Sequence, residues 1–224
     1  KDREADPRKQ LWRPYMDVVE QVSAKAFVME NVPQLLGSAE HDDIKDRAAE
    51  LGFAVESVEL LAADYGVPQT RKRAFILGSR VRDPSEVFPP PRTHYNPQNG
   101  QTSIEDFGRA DGLQPWNTVK DAIGDLPPPL GTEIRDEPGP FDLHFSRSPT
   151  AKSIRRYITV QEQGANRYDL EERAPEITPK CWKRKDSGGT DIFGRLWWDR
   201  PAFTIRTEFF KPEKGRSLHP DQHR

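Results

Sequence analysis

Four apolar residues that end in a carboxylate and an amide, Ala26–Met29 followed by Glu30, Asn31, Val32 and Pro33, constrain this chain more than any other stretch. A short unbroken apolar run of this kind reads as a strand buried on both faces, as inside a parallel sheet. Pro33 cannot donate to a ladder, so regular structure stops there. In open α/β sheets ligands bind outside the carboxyl ends of the strands. Glu30 therefore stands either as a catalytic or binding group, or as a helix-capping carboxylate with no chemistry. Position alone leaves both open.

The flanking chain supplies the expected neighbours of that strand. Asp6-Pro7 is a helix-start pair, and Leu11, Tyr15, Val18, Val19 and Val22 recur at helical spacing as one buried face. After the strand, Ile44, Ala48 and Leu51 line a second helix that Gly52 stops. Phe53–Leu61 alternates as a strand, AADYGVPQT is a loop, and Arg71–Gly78 forms another strand around Ala74–Leu77. The last two pair as an antiparallel hairpin at the edge of an otherwise parallel sheet. From Asp83, two proline-rich stretches bracket one short helix over Thr118–Leu126 and read as extended connectors or a draped arm. Beyond about residue 141 the chain is irregular, basic and aromatic, a second domain with little regular structure.

Charge sharpens that division. Residues 1–140 carry a balance of −7, whereas residues 141–224 carry +5. A basic C-terminal third suits a polyanion, although solvated surface charge by itself is the commoner explanation of such a balance. A hydrophobic fraction of 34% against 31% charged residues describes a soluble chain with a modest core. No apolar run approaches the roughly 20 residues that cross a bilayer. The single cysteine, Cys181, excludes an internal disulfide and fits a reducing compartment.

Two further stretches bear on Glu30. In Pro68–Arg73 (PQTRKR), Arg71 and Arg73 alternate as a strand begins, so their guanidinium groups share one face. An antiparallel last strand starts at the sheet edge where the 26–32 strand ends, which brings both arginines to Glu30. A merely structural ion pair is the bland alternative. Arg200–Arg224 is a basic run studded with threonine and aromatic residues; its arginines, lysines, threonines and backbone amides are the groups that contact phosphates, although composition alone does not establish such a surface.

ENV after an apolar strand, then YGVPQTRKRAFILG, then RPAFTI followed by LHPDQHR, resemble in order the sequence blocks of the bacterial DNA (cytosine-5) methyltransferases. DAIGDLP (121–127) and GRLWWDRPAFTI (194–205) add to the resemblance, which covers nearly the whole chain. It implies an α/β fold: the C-terminal half of a doubly wound, Rossmann-like methyltransferase sheet plus an irregular target-recognition domain. It implies boundaries at 1–126 for the partial catalytic domain, 127–200 for target recognition and 201–224 for the start of a return segment. The implied reaction flips a cytosine from double-stranded DNA, attacks carbon 6 with a thiolate and moves a methyl group from S-adenosylmethionine to carbon 5.

By the same resemblance Glu30 binds the ring nitrogen and exocyclic amine, with a raised pKa in a dry pocket. Arg73, with Arg71 second, holds the carbonyl oxygen and a nearby phosphate. Asn31, Gln69, Arg195, Thr204 and Arg206 are candidate DNA-contacting positions, Asn31 better suited to fixing local backbone. The family's Pro-Cys-Gln nucleophile loop and glycine-rich cofactor turn have no counterpart here, and Cys181, in PKCWKRK, is not assigned catalysis. The S-adenosylmethionine site is thus expected mostly outside this chain. The chain reads as an inactive internal fragment from a bacterial, nucleoid-associated restriction-modification enzyme, with no metal and no membrane. It reads alternatively as a non-catalytic sequence-specific DNA-binding protein, or as one subunit completed in trans by the missing N-terminal half. In each case the 26–32 strand would expose an edge.

Overall fold

The computed structural model describes residues 7–98, 112–139, 141–183 and 192–224. Its N-terminal half is built on strand β1 (Ala26–Asn31), helix α2 (Ala39–Glu50), strand β2 (Ala54–Leu61) and strand β3 (Lys72–Ser79), preceded by helix α1 (Trp12–Gln21). The sheet order is β1-β3-β2. β3 runs antiparallel to both neighbours, so β1 and β2 are parallel to each other, joined through α2. The hairpin read from sequence is therefore present.

Two expectations for this half are corrected. β1 is not buried on both faces: Phe27 and Met29 point into the core, while Val28 on the opposite face is 58% exposed. Arg80 N–H donates to Lys25 C=O at 3.0 Å, which sets the pairing phase against β3. By antiparallel alternation the backbone groups of Ala26, Val28 and Glu30 then face the other edge. The Tyr15 hydroxyl takes one of them, donating to Val28 C=O at 2.8 Å.

The first helix also differs. A 3-10 turn covers Pro7–Gln10 and α1 begins only at Trp12. Pro14 is the reason, because a proline is tolerated in a first turn but would break a helix running through from residue 7. Asp6, the expected cap, lies outside the described residues. The inward stripe is Trp12, Tyr15, Met16 and Val19, whereas Leu11, Val18 and Val22 are exposed. The two stripes lie about 90° apart round the helix, and the inward one follows the i, i+3, i+4, i+7 pattern.

Met16, Val19, Phe27, Met29, Ile44, Ala48, Phe53 and Ile76 form this half's core. Phe27 stands edge-on between Tyr15 and Phe53, with ring centroids at 6.2 and 5.1 Å. Its ring lies over Gly78, where a Cβ would fall 2.1 Å away. Gly52 closes α2 at φ +80°, as read from sequence.

The proline-rich stretch drapes back over the loop before β3. Thr93 N–H donates to Asp64 C=O at 3.0 Å, and strand β4 (His94–Tyr95) pairs in parallel with β5 (Gln114–Pro115). Helix α3 (Val119–Ile123) follows, shorter than expected and closed by a Thr118–Asp121 capping box. Its first N–H groups donate to Arg200 and Trp198 carbonyls, at 2.9 and 3.1 Å.

The C-terminal half is more regular than its sequence suggests. It contains α4 (Ala151–Thr159), α5 (Arg167–Arg173) and α6 (Lys180–Lys183). Thr150 caps α4, and Asn166 with Asp169 forms a capping box on α5. These helices are too short for periodicity to reveal, but the caps are visible afterwards in PTAKS and ANRYD. Tyr157, Val160, Leu170, Ile177, Trp182, Phe193 and Leu218 belong to its own core.

Gly78→Ala should lower stability by about 1–3 kcal/mol, the usual cost of overpacking a site whose neighbours cannot yield. Urea unfolding monitored by circular dichroism checks it; an unchanged midpoint would mean that Phe27 is free to move.

Candidate functional site

The pairing phase of β1 and β3 decides what meets at the end of the sheet. Glu30 is the last outward side chain of β1, and Arg73 lies on the same face at the start of β3. Arg73 Nε stands 2.8 Å from Glu30 Oε1, and Arg71 Nη2 3.7 Å from the same oxygen. Arg73 also donates from Nη1 to Lys72 C=O at 2.7 Å, which holds its guanidinium. The structure thus assembles the carboxylate and two guanidinium groups anticipated from sequence. It places them differently in solvent: the Glu30 side chain is 46% exposed, so among the described residues there is no dry pocket around it.

The loop that carries the arginines is held from two sides. Ala62 N–H donates to Arg71 C=O at 2.9 Å across its base. On one side Ala202 and Pro68–Thr70 pair like parallel strands, with Thr70 N–H to Ala202 C=O at 2.8 Å and Ala202 N–H to Pro68 C=O at 2.9 Å. On the other, buried Asp64 accepts Trp116 Nε1–H at 3.0 Å and lies 3.4 Å from Arg92 Nε. Asn117 Nδ2 adds a bond to Gly66 C=O at 2.7 Å. Sequence reasoning missed Asp64, Trp116 and Asn117. Their one signal is polar side chains beside turn-forming glycine and proline, which many loops share.

The five candidate DNA-contacting residues separate. Asn31 Oδ1 accepts the Val32 N–H at 2.8 Å, the local backbone role suited to it. Gln69 Oε1 accepts Ile205 N–H at 3.3 Å, and Thr204 Oγ1 lies 3.5 Å from Thr70 C=O, so both help join the two segments. Arg206 is exposed. Arg195 is corrected. It is fully buried, donating to the carbonyls of Tyr157, Val160, His219 and Gln222 and bonded to His223 Nδ1. Its guanidinium is a structural hub and is not presented to DNA.

His219 shares that hub. Its Nδ1 accepts the N–H groups of Asp221 and Gln222, each at 3.1 Å. Burial, reinforced by the Arg224 and Arg195 charges against an opposing Asp221, lowers its pKa from 6.5 to about 4. Cys181 is exposed.

With that geometry in hand, comparison identifies the family. The chain belongs to the C-5 cytosine-specific DNA methylases, whose family model matches residues 1–183. It is 42% identical over 132 residues to the type II methyltransferase M.AgeI of Thalassovita gelatinovora, covering 56% of this chain and 30% of that protein. It is 33% identical over 219 residues to M1.HphI of Haemophilus parahaemolyticus, covering 95% of this chain and 50% of that one. M.AquIA of Picosynechococcus is 37% identical over 134 residues, 55% of this chain and 52% of the relative. The chain thus spans at most about half the length of these curated relatives. A crystal structure of a candidate DNA modification methyltransferase from an E. coli prophage superposes with a TM-score of 0.57 over 98% of this chain and 61% of its own. At 17% identity that likeness speaks for the fold alone. No helix among the described residues is long and apolar enough to cross a membrane.

Because His219 is unprotonated when folded, its contribution to stability is complete above pH 6.5. It is lost as pH falls from about 6.5 towards 4, by up to about 3 kcal/mol. Denaturant unfolding across that range checks it, with His219→Asn expected to flatten the slope.

Proposed function

We propose that this chain is the base-binding and target-recognition part of a DNA cytosine-5 methyltransferase. The observation that carries the reading is the convergence of Arg73 and Arg71 on Glu30 Oε1 at 2.8 and 3.7 Å. A carboxylate and guanidinium groups on one face match a flipped cytosine: Glu30 faces the ring nitrogen and exocyclic amine, and Arg73 faces the carbonyl oxygen. Polarising the ring through those contacts lowers the barrier to nucleophilic attack at carbon 6, since only interactions stronger in the transition state accelerate the step. Arg71 takes a neighbouring phosphate. Arg206 and Thr204, on the basic C-terminal run, meet the strand as it leaves the site.

S-adenosylmethionine supplies the methyl group in such a reaction. Its ammonium, sulfonium and ribose diol call for carboxylates and carbonyls, and the hollow of about 620 Å³ at the end of β1 does not fit that set by itself. Its one carboxylate, Glu40, stands 3.3 Å from Lys9, and its Asn31 oxygen already serves Val32. The cofactor and the nucleophile are therefore assigned to a part of the enzyme beyond these residues, in the same polypeptide or in a partner. The outward-facing edge of β1 at Ala26 and Glu30, beside exposed Val28, supports a site for that part. Residues 1–126, 127–200 and 201–224 serve as the partial catalytic domain, the recognition region and the start of the return segment.

In an enzyme reconstituted with a half that supplies nucleophile and cofactor site, Glu30→Gln and Arg73→Ala should each lower methyl transfer by about 10²–10³-fold. Tritiated methyl incorporation measures it, and full rates in both variants would sink the assignment. The chain alone should bind duplex DNA weakly. If three or four phosphates are neutralised, affinity falls roughly 10²-fold for a fourfold rise in salt; fluorescence anisotropy reads the slope, and a flat one would remove DNA as the partner.

A further inference from the structure

We propose that the cleft of about 210 Å³ walled by Trp116, Trp197 and Phe203 is a second nucleobase site, taking an unpaired base of the DNA by stacking. The inference rests on the proposed function for the identity of the polymer, and on the cleft's own geometry for the rest.

The three aromatic walls come from two segments, Trp116 from one and Trp197 with Phe203 from the other, and each ring is held by its neighbours. Trp116 is fixed by its Nε1–H bond to buried Asp64. Trp197 lies against Gly164, where a Cβ would fall 2.2 Å from the indole, and the guanidinium groups of Arg200 and Arg216 stack on it at 4.7 Å each. Phe203 sits 5.7 Å from Trp197, tilted by 49°, with Arg216 4.5 Å from its centroid. Rings held in this way lose little freedom when a ligand enters. The core aromatics are different: Trp182 and Phe193 are buried, whereas Trp116, Trp197 and Phe203 remain half-buried and line a cleft among the described residues.

The size and the rim define the ligand class. The cleft is smaller than the ~300 Å³ of pockets for drug-sized molecules, which suits one flat heteroaromatic ring system. Asp199 and the Asn96 amide, whose oxygen already accepts the Gln98 N–H at 3.0 Å, offer an acceptor and a donor for the edge of a base. Arg200, 45% exposed and 3.7 Å from Asp199, lies over Trp197 at 4.7 Å and swings out to the adjoining phosphate when a base takes its place on the ring. A base stacked between these walls cannot remain paired, so it belongs to DNA that is already opened. The position agrees: Thr70 lines the cleft and directly precedes Arg71, which reaches Glu30.

The test uses the wild-type chain and short single-stranded oligonucleotides carrying 5-iodouracil, irradiated and mapped by mass spectrometry. Adducts on Trp116, Trp197 or Phe203 are expected; adducts confined to other residues overturn the proposal. Trp197→Ala should weaken the base-bearing oligonucleotide about tenfold or more, as loss of a base–aromatic stack does. It should leave an abasic oligonucleotide of equal length unaffected. Equal binding of both oligonucleotides by the wild type means that phosphates alone are recognised, and also overturns it. Should the variant fail to fold, the wild-type adduct map decides. Cleft adducts together with full methyl transfer by Glu30→Gln would remove the Glu30 assignment and leave the cleft standing. The converse pair of results removes only the cleft.

Discussion

The insertion of β3 between β1 and β2 is the constraint on which the rest depends. Running antiparallel to both, it returns the chain to the end of the sheet where β1 finishes. Side chains alternate with a period of two, so one pairing phase sets both faces together. The phase that buries Phe27, Met29 and Ile76 against α1 and α2 also places Glu30 beside Arg73. A slip of one residue would put Glu30 in the core and Val28 beneath the helices. The ion pair is therefore held in place by the hydrophobic core. The pair itself, half-exposed at Glu30, adds little stability of its own.

A second core has a polar centre. Arg195 is fully buried, and desolvating a guanidinium costs several kcal/mol unless its donors are satisfied. Here they are shared between the end of α4, at Tyr157 and Val160, and the C-terminal turn around His219 and Gln222. This ties residues far apart in sequence into one unit and leaves His219 a proton acceptor. Backbone hydrogen bonds outside both cores join the two halves. Pro68–Thr70 pairs with Ala202, and the first N–H groups of α3 end on Arg200 and Trp198 carbonyls. The arginine-bearing loop is thus positioned by the backbone around Ala202, 132 residues beyond Thr70 along the chain.

The sequence by itself determined the local elements and one long-range meeting. Apolar runs, Gly52 and alternation located β1, α2, β2 and β3, because those signals report on neighbours within a few residues. Glu30 and Arg73 were also legible, since the strand direction followed from the hairpin and the shared face from spacing. Helices α4 and α5 were not, being too short for a period to emerge from a basic background. Only the tertiary structure decided which charged groups face solvent and which are scaffold. Arg195 and Arg206 look alike in a basic run, yet one lies at the centre of a core and the other faces solvent. Burial is a property of everything packed around a residue, and for Arg195 the acceptors come from 24 to 38 positions away. For the same reason Asp64, Trp116 and Trp197 gain meaning only when two distant segments close around the loop that carries Asp64.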